Sequence, residues 1–336
     1  MDKINLALIG CGYWGKNHLK TMQGIGEIEL KYVVDAQMPK VKIPEESIFI
    51  EEYRKILNDE NLDGAVIATP SNTHYEIAKD FLERGKNVFV EKPLTTNSSE
   101  ARELCEIARK NDNILMTGEI FRFNSAIKYI KDTLDDGKLG KLRYIESRRV
   151  APGPIRNDVS AMWDLLSHDI YISNHLVGKS PESVAYSGIS HNRQFDDIVS
   201  LNLKYENPRV ISTMYANWEH PIKERRLVVG GNKRAISFND VEPSKKIEIY
   251  DMGIDFHSQE GGYGFFQASI RDGDILIPKI KLSEPLRDEL VHFTNCIYGK
   301  EKCISSGYEG LETVKILESA EKSRAQGGLE IKIQNN

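Results

Sequence analysis

The chain has 336 residues, of which 40% are hydrophobic and 28% are charged, and its formal net charge is −5. This length exceeds what one hydrophobic core usually supports, and the ordinary globular composition argues against a disordered or fibrous protein, so two folded domains are expected. The charges are spread along the chain without a long basic block, which argues against a nucleic-acid partner or a polybasic membrane anchor. Small molecules are the expected partners.

No targeting or membrane-spanning segment is visible in the sequence. The apolar run in Met1–Gly10 is too short for a signal-peptide core, and no later apolar stretch approaches the about 18 residues of a transmembrane helix. The cysteines lack a Cys-x-x-Cys pair, which predicts neither a disulfide framework nor a zinc ribbon. They are Cys11, Cys105, Cys296 and Cys303. We therefore expect a cytoplasmic protein with reduced cysteines.

The first third of the chain alternates short apolar runs with helical patterns, which is typical of a parallel sheet built from βαβ units. Strands are predicted at Ile4–Ile9, Leu30–Val34, Asp63–Ala68, Asn87–Val90 and Ile114–Thr117. Helices are predicted between them at Gly15–Met22, Tyr53–Leu57, His74–Arg84 and Ser99–Lys110. This order predicts an α/β Rossmann domain over residues 1–120.

The pattern changes in the remaining two thirds of the chain. Helices are predicted at Ala126–Leu134, Ala161–Leu176, Pro285–Tyr298 and Glu309–Ser323, with a strand at Leu142–Arg149 and many period-two runs over residues 183–280. Runs of strands after a series of βα units predict an α+β domain with a largely antiparallel open sheet. We assign this second domain, for substrate binding and oligomerisation, to residues 121–336.

Gly10, Gly12 and Gly15 form a G-x-G-x-x-G motif where the first strand meets the first helix. There one glycine makes a tight turn, one lets the backbone approach a pyrophosphate, and one allows close helix packing. The helix N-terminus adds free N–H groups for the phosphates. Asp35 ends the second strand about 20 residues on, where a carboxylate bonds the adenosine ribose and repels the 2′-phosphate of NADP. The motif predicts NAD binding, with a merely structural turn as the alternative.

With Glu91-Lys92-Pro93 after the fourth strand, the chain resembles the Gfo/Idh/MocA family of sugar and cyclitol oxidoreductases. The other matching segments are Gly10–Gly15, Ala68–His74, Arg122–Phe123 and Asp164–His168, and the resemblance covers nearly the whole chain. It implies an oxidoreductase that forms a homodimer or homotetramer, because family members pair through the open sheet face. Asn124 differs from the family pattern, since many relatives have proline at this position. The resemblance therefore does not define the conformation of the local turn.

The resemblance also implies which residues contact the cofactor. They lie in the glycine motif and in the loops after the second, third and fourth strands: Gly10, Gly12, Tyr13, Trp14, Gly15, Asp35, Thr69, Pro70, Ser71, Thr73, His74, Glu91 and Lys92. In relatives, the bond matching Lys92–Pro93 is commonly cis and the lysine is catalytic. The residues alone also favour a functional lysine, because the carboxyl end of a parallel strand is where such sheets bind ligands. The alternative is that Lys92 is an ordinary solvent-exposed lysine.

Asp164 and His168 are the second constellation. If this stretch is helical, the i,i+4 spacing places both side chains on one face, where the carboxylate raises the basicity of the imidazole. The sequence alone favours an ordinary ion pair or a buried histidine, and the family resemblance favours catalysis. A metal site formed by Asp164, His168, Asp169 and His175 is the third interpretation. The family chemistry does not require a metal, so none is expected.

The expected reaction is oxidation of a sugar hydroxyl with hydride transfer to NAD. His168 is expected to act as general base and Lys92 to stabilise the developing oxyanion, although Lys92 could instead transfer the proton. Asp164 would orient the substrate or His168. The predicted substrate-binding residues are Lys92, Arg122, Arg156, Trp163, Asp164 and His168. The guanidinium of Arg156 suits a phosphate or carboxylate, with a structural ion pair as an equal alternative.

The segment from Gly153 to Asp169 is similar to family members associated with polysaccharide and nucleotide-sugar pathways. This similarity implies oxidation at C3 of a nucleotide sugar such as a UDP-N-acetylhexosamine or its uronate. The alternatives are a myo-inositol or free-sugar dehydrogenase and a catalytically silent NAD-binding regulator on the same fold. Retention of Lys92, Asp164 and His168 favours an enzyme.

Overall fold

A computed structural model of the protein describes residues 3–153, 155, 159–191, 194–257 and 267–334. The chain divides into an N-terminal unit, Met1–Asn124 with Ser283–Glu318, and a C-terminal unit, Ser125–Leu282 with Ser319–Asn336. The predicted division at residue 120 placed both last helices in the second domain. The structure adds α6 (Pro285–Ile297) and most of α7 (Gly307–Ala325) to the N-terminal unit. In the described part of the chain, no helix is long and apolar enough to cross a membrane.

The N-terminal unit contains a six-stranded parallel sheet. Its strands are β1 (Ile4–Ile9), β2 (Ile28–Val34), β3 (Ile48–Ile50), β4 (Gly64–Ile67), β5 (Asn87–Glu91) and β6 (Leu115–Gly118). They lie in the order β3-β2-β1-β4-β5-β6, so the strand order reverses beside β1, the topology whose carboxyl edge binds dinucleotides. The Rossmann prediction is confirmed. The sequence analysis missed β3, a partly exposed strand that is too short to show a period.

Both faces of this sheet are covered, which explains the nearly continuous apolar runs of its strands. Ala7 and Ile9 pack with α2 (His74–Leu82) and α3 (Ser98–Lys110). Leu6 and Leu8 face the opposite side, where α1 (Gly15–Gln23) and α6 contribute Leu19, Leu290 and Phe293. Burial of Leu290 and Phe293 in this cluster is the reason α6 belongs to the N-terminal unit. The helix predicted at Tyr53–Leu57 is a 3₁₀-helix at Tyr53–Ile56.

The C-terminal unit contains a nine-stranded sheet with the order β16-β13-β12-β11-β7-β10-β9-β8-β17. Its strands are β7 (Leu142–Pro152), β8 (Ser183–Ile189), β9 (Ile198–Tyr205), β10 (Val210–Asn217), β11 (Glu219–Gly231), β12 (Ala235–Asn239), β13 (Ile247–Tyr250), β16 (Ile275–Leu276) and β17 (Ile331–Lys332). β14 (Gly253–His257) and β15 (Gln267–Arg271) form a separate antiparallel pair. Among the described residues of the nine-stranded sheet, β7 and β10 are the one pair of neighbouring strands that run parallel. The prediction of a largely antiparallel sheet is confirmed.

Among the described residues, the C-terminal unit contains α4 (Ser125–Asp135), α5 (Ser167–Val177) and the end of α7. A continuous helix had been predicted over Ala161–Leu176, and the structure corrects this expectation. Met162–Leu166 forms a π-helical turn, in which Ser167 N–H bonds the carbonyl of Met162 five residues earlier. Asp164 lies in this π-turn and His168 follows it, so the two residues are not related by the regular α-helical i,i+4 geometry that the sequence predicts. Such π-turns occur frequently at functional sites.

Candidate active site

The three glycines after β1 have different structural requirements. Gly10 has a φ of +88°, and a Cβ on Gly15 would lie 2.1 Å from the Gly10 carbonyl oxygen. A Cβ on Gly12 would meet nothing within 4 Å. Gly10 therefore makes the turn, and the missing side chain of Gly15 allows the start of α1 to pack closely against Gly10. Gly12 leaves open space in which a phosphate group can approach the backbone. These features fit a dinucleotide at the N-terminus of α1.

Asp35 stands beside this glycine turn. Its Oδ2 accepts a hydrogen bond from Cys11 N at 2.7 Å, and its Oδ1 accepts one from Gln37 N at 3.3 Å. The carboxylate is thus held where β2 ends and α1 is about to begin. This is the position that the sequence analysis predicted for a ribose contact.

The loop after β4 is connected to the loop after β5 through the side chain of His74. The buried His74 ring has Nδ1 at 2.8 Å from the carbonyl oxygen of Pro93 and Nε2 at 2.9 Å from that of Thr69. The Lys92–Pro93 peptide is cis, as the family resemblance implies. The imidazole therefore joins two loops in which cofactor contacts were predicted, Thr69–His74 and Glu91–Lys92.

Glu91 holds the start of α1 against the end of β5. Its Oε1 accepts hydrogen bonds from the Trp14 indole and from His18 Nε2, the second at 2.6 Å, and its Oε2 lies 3.2 Å from Lys92 N. Trp14 and Glu91 were both predicted as cofactor contacts, and here they contact each other. Glu91 therefore positions the glycine turn relative to the Lys92 loop. Tyr13, in the same turn, is 87% exposed.

Two more carboxylates are buried near Glu91. Glu119 follows β6 directly and Glu289 lies on α6, and each is 1% exposed. We call Glu91, Glu119 and Glu289 the acidic cluster. Within the described residues, Glu119 Oε2 and both carboxylate oxygens of Glu289 have no hydrogen-bond partner.

Burial raises the pKa of both Glu119 and Glu289 well above the ordinary range for glutamate. Lys92 opposes the rise for Glu119, whereas the negative charge of Glu91 adds to it for both groups. Burial therefore favours the protonated form of both carboxyls. Glu119 also has an electrostatic interaction with the predicted catalytic lysine, Lys92, and acids with perturbed pKa values are concentrated at functional sites.

The second predicted constellation lies in the C-terminal unit. Asp164 falls within the π-turn and His168 in the first turn of α5, and both side chains are half-buried. Trp163 Nε1 donates to Glu321 Oε1 at 3.1 Å, which ties the π-turn to the end of α7. Of the other predicted substrate residues, Arg122 lies in a 3₁₀-helix at Ile120–Phe123, and Arg156 lies outside the described residues.

A buried ion pair fixes α5 on β7. Arg149 Nε and Nη2 donate to Asp169 Oδ2 and Oδ1, each at 2.9 Å, and the side chains are 8% and 4% exposed. Because Asp169 follows His168 directly, this bidentate pair sets the register of α5 that presents His168. Among the described residues, the four alternative metal ligands Asp164, His168, Asp169 and His175 do not form a group with metal-ligand spacing.

Sequence reasoning missed Glu119, Glu289 and Arg149. Glu119 carried a usable signal, because it follows a parallel strand at the edge where such sheets bind ligands. Glu289 also carried one, since its helical neighbours Leu286 and Phe293 mark an apolar face on which an acid is unexpected. Arg149 carried none, because its partner belongs to another element.

Known proteins were compared with the chain. Residues 4–119 match the model of an oxidoreductase family with an NAD-binding Rossmann fold, and residues 127–237 match the Gfo/Idh/MocA C-terminal domain. The uncharacterized oxidoreductase YdgJ of Escherichia coli strain K12 is 36% identical over 304 residues, which cover 86% of this chain and 84% of YdgJ.

More distant relatives have assigned substrates. Inositol 2-dehydrogenase of Rhizobium meliloti strain 1021 is 25% identical over 340 residues, or 96% of this chain and 97% of that protein. UDP-N-acetylglucosamine 3-dehydrogenase of Acidithiobacillus ferrooxidans is 27% identical over 199 residues, or 56% of this chain and 59% of that protein. The structure of GenD2 from gentamicin A biosynthesis, in complex with NAD, has the same fold, with a TM-score of 0.80 at 18% identity over 99% of this chain and 97% of GenD2.

The fold and the glycine turn thus define an oxidoreductase with an NAD-binding Rossmann domain. The chain belongs to the Gfo/Idh/MocA family.

Proposed function

We propose that this chain is an NAD-dependent dehydrogenase that oxidises C3 of a nucleotide-linked sugar, a UDP-N-acetylhexosamine or its uronate. One observation carries the dehydrogenase assignment. At the carboxyl edge of the parallel sheet, Lys92 follows β5 beside the open glycine turn and interacts with the buried acid Glu119. A protein that only bound NAD would not need a lysine in this setting, so the assignment favours an enzyme over a silent regulator.

Bound NAD would supply the hydride acceptor, and the turn at Gly10–Gly15 with Asp35 would hold it. Lys92 donates a hydrogen bond to the reacting oxygen and stabilises its developing negative charge. His168 removes the hydroxyl proton, since an imidazole titrates near neutral pH. Asp164 orients the substrate or the imidazole.

Preference for NAD over NADP is part of the proposal. Asp35 is held at the end of β2 by the N–H groups of Cys11 and Gln37. A carboxylate there accepts hydrogen bonds from ribose hydroxyls and repels a 2′-phosphate. The residues that follow, Ala36 and Gln37, supply no cation to offset that repulsion.

The substrate assignment rests on sequence similarity more than on geometry. It is supported by the 27% identity to UDP-N-acetylglucosamine 3-dehydrogenase and by the Gly153–Asp169 segment. The competing substrate is myo-inositol, because inositol 2-dehydrogenase matches almost the entire chain. A remote diphosphate would contribute binding energy that orients the reacting ring, which a free polyol lacks.

The test is NADH formation with UDP-N-acetylglucosamine, its uronate, free N-acetylglucosamine and myo-inositol, each with NAD and with NADP. We expect the UDP-sugars with NAD to give the highest kcat/KM, and the free sugar to lose kcat as well as affinity. Arg156→Ala should raise KM for the UDP-sugar without changing the affinity for NAD. A higher kcat/KM for myo-inositol would overturn the substrate assignment alone, and an NADP preference would overturn the role of Asp35.

A further inference from the structure

The end of α6 and the loop after it carry a cluster of potential metal ligands. His292 and Cys296 lie four residues apart on α6, Cys303 lies in the following loop, and one ligand atom from each lies within 4.8 Å of the other two. His292 is 5% exposed and Cys296 is 4% exposed. We propose that His292, Cys296 and Cys303 form a binding site for a thiophilic divalent cation, Zn(II), with its fourth coordination position open.

The distance between two of these ligand atoms fits zinc. Cys296 Sγ lies 3.4 Å from His292 Nε2. Tetrahedral zinc has bonds of about 2.3 Å to sulfur and about 2.0–2.1 Å to nitrogen, which separates such ligand atoms by about 3.5 Å. Two thiolates would also neutralise a divalent cation, so that this buried site carries no net charge.

A carboxylate orients the histidine for this role. His292 Nδ1 lies 2.5 Å from Glu301 Oε2, and Asn295 Nδ2 donates to Glu301 Oε1 at 2.8 Å. With Nδ1–H bonded to Glu301, the lone pair of Nε2 faces Cys296. A carboxylate behind a histidine is the usual arrangement around protein-bound zinc. The Ile304 N–H, 3.1 Å from Nε2, is a hydrogen bond that the metal would replace.

Cys296 and Cys303 are both reduced cysteines in the structure, as metal binding requires. The same two cysteines could instead form a disulfide. A disulfide has no use for a histidine oriented by Glu301, so these contacts favour a metal.

The position of the cluster suggests what the metal would do. Thr117 N donates to Ser305 O at 2.8 Å, so the loop that carries Cys303 is attached to β6. Glu289 precedes His292 by three residues on α6, and Glu119 follows β6. A metal joining α6 to this loop would therefore brace the two elements that carry Glu289 and Glu119.

The experiment is a titration of reduced, chelator-treated full-length protein with Co(II), then Zn(II), read by absorbance and metal analysis. We expect one cobalt per chain, with a thiolate-to-cobalt charge-transfer band that zinc abolishes, and a higher Tm with zinc. Cys303→Ser should weaken binding more than tenfold. Glu301→Gln, which keeps all three ligands, should weaken it by about 10–100-fold. The matched control is Cys105→Ala, which removes another buried cysteine and should bind cobalt like the wild type.

Three results would overturn the proposal. The first is no charge-transfer band in the reduced wild type. The second is equal cobalt affinity in Cys303→Ser, Glu301→Gln and the wild type. The third is two free thiols instead of four in denatured, unreduced protein, which would identify Cys296–Cys303 as a disulfide. If Cys303→Ser does not fold, Glu301→Gln and the thiol count still decide the question.

Discussion

The two units bury their carboxylates in opposite ways. In the N-terminal unit, Glu119 and Glu289 are buried beside a third acid and have raised pKa values. In the C-terminal unit, Asp169 and Asp196 are each held by an arginine in a bidentate pair. Paired carboxylates fix elements in place, whereas buried acids that share one site are costly and persist chiefly at functional sites. The contrast favours a functional role for the acidic cluster and a structural role for the ion pairs.

The largest expected effect is on stability, from Arg149→Ala. This change leaves Asp169 as a buried charge without its bidentate partner, and we expect a loss of about 3–5 kcal/mol in the free energy of unfolding. Urea unfolding with an unchanged m-value measures it. The double variant Arg149→Met with Asp169→Leu should recover most of the loss. A loss below about 1 kcal/mol in Arg149→Ala would show that the pair has no structural role.

The second-largest expected effect is on the catalytic rate. Lys92→Ala and His168→Ala should each lower kcat by about 10²-fold or more, with NAD binding retained, because acid–base groups typically contribute on that scale. Steady-state kinetics and NAD titration measure the two quantities. The exposed residues Lys110 and His191 supply matched alanine controls with normal rates. Near-normal kcat in either active-site variant would remove that residue from the mechanism, and lost NAD binding in His168→Ala would indicate a structural histidine.

A smaller effect concerns alkaline pH. Because the folded pKa of Glu119 is raised, its contribution to stability is complete below the unfolded pKa and is lost as pH rises through the folded value. Glu119→Gln keeps a neutral group there, so at pH 9 it should be more stable than the wild type by about 1–3 kcal/mol. Thermal unfolding across pH 5–9 tests this. The exposed change Glu83→Gln should leave the profile unaltered, and coincident Glu119→Gln and wild-type profiles would contradict the raised pKa.

The smallest effect has the opposite pH dependence. Burial opposes a low pKa for Asp196, but hydrogen bonds from Arg324 and Tyr186 lower it on balance. Its contribution is therefore present above the unfolded pKa and is lost as pH falls through the folded value. Arg324 is 42% exposed, so solvent screening limits the effect of Asp196→Asn to about 1 kcal/mol at neutral pH. As pH falls, the free energy of unfolding of Asp196→Asn should decline less steeply than that of the wild type. The exposed control Asp132→Asn should decline like the wild type. An equal decline in Asp196→Asn would contradict the lowered pKa of Asp196.

Local patterns predicted more of the fold than of the site. Five of the six strands of the Rossmann sheet, and the glycine motif, follow from residue spacing to within a few residues. The π-turn at Met162–Leu166 did not, because the apolar spacing of a helix is the same with one extra residue in a turn. Glu119 and Glu289 could not be joined from sequence either, since only the folded sheet brings β6 and α6 together.

Hydride transfer from a sugar ring carbon to NAD is the central claim, and isotopic labelling tests it most directly. Wild-type protein is incubated with NAD and UDP-N-acetylglucosamine carrying deuterium at C3, and the reduced cofactor is analysed by mass spectrometry. We expect NADH heavier by one mass unit, and at least about 10²-fold less of it from Lys92→Ala over the same time. Unlabelled NADH formed from the C3-deuterated sugar, or no NADH from it under conditions where NAD binds, would contradict the account.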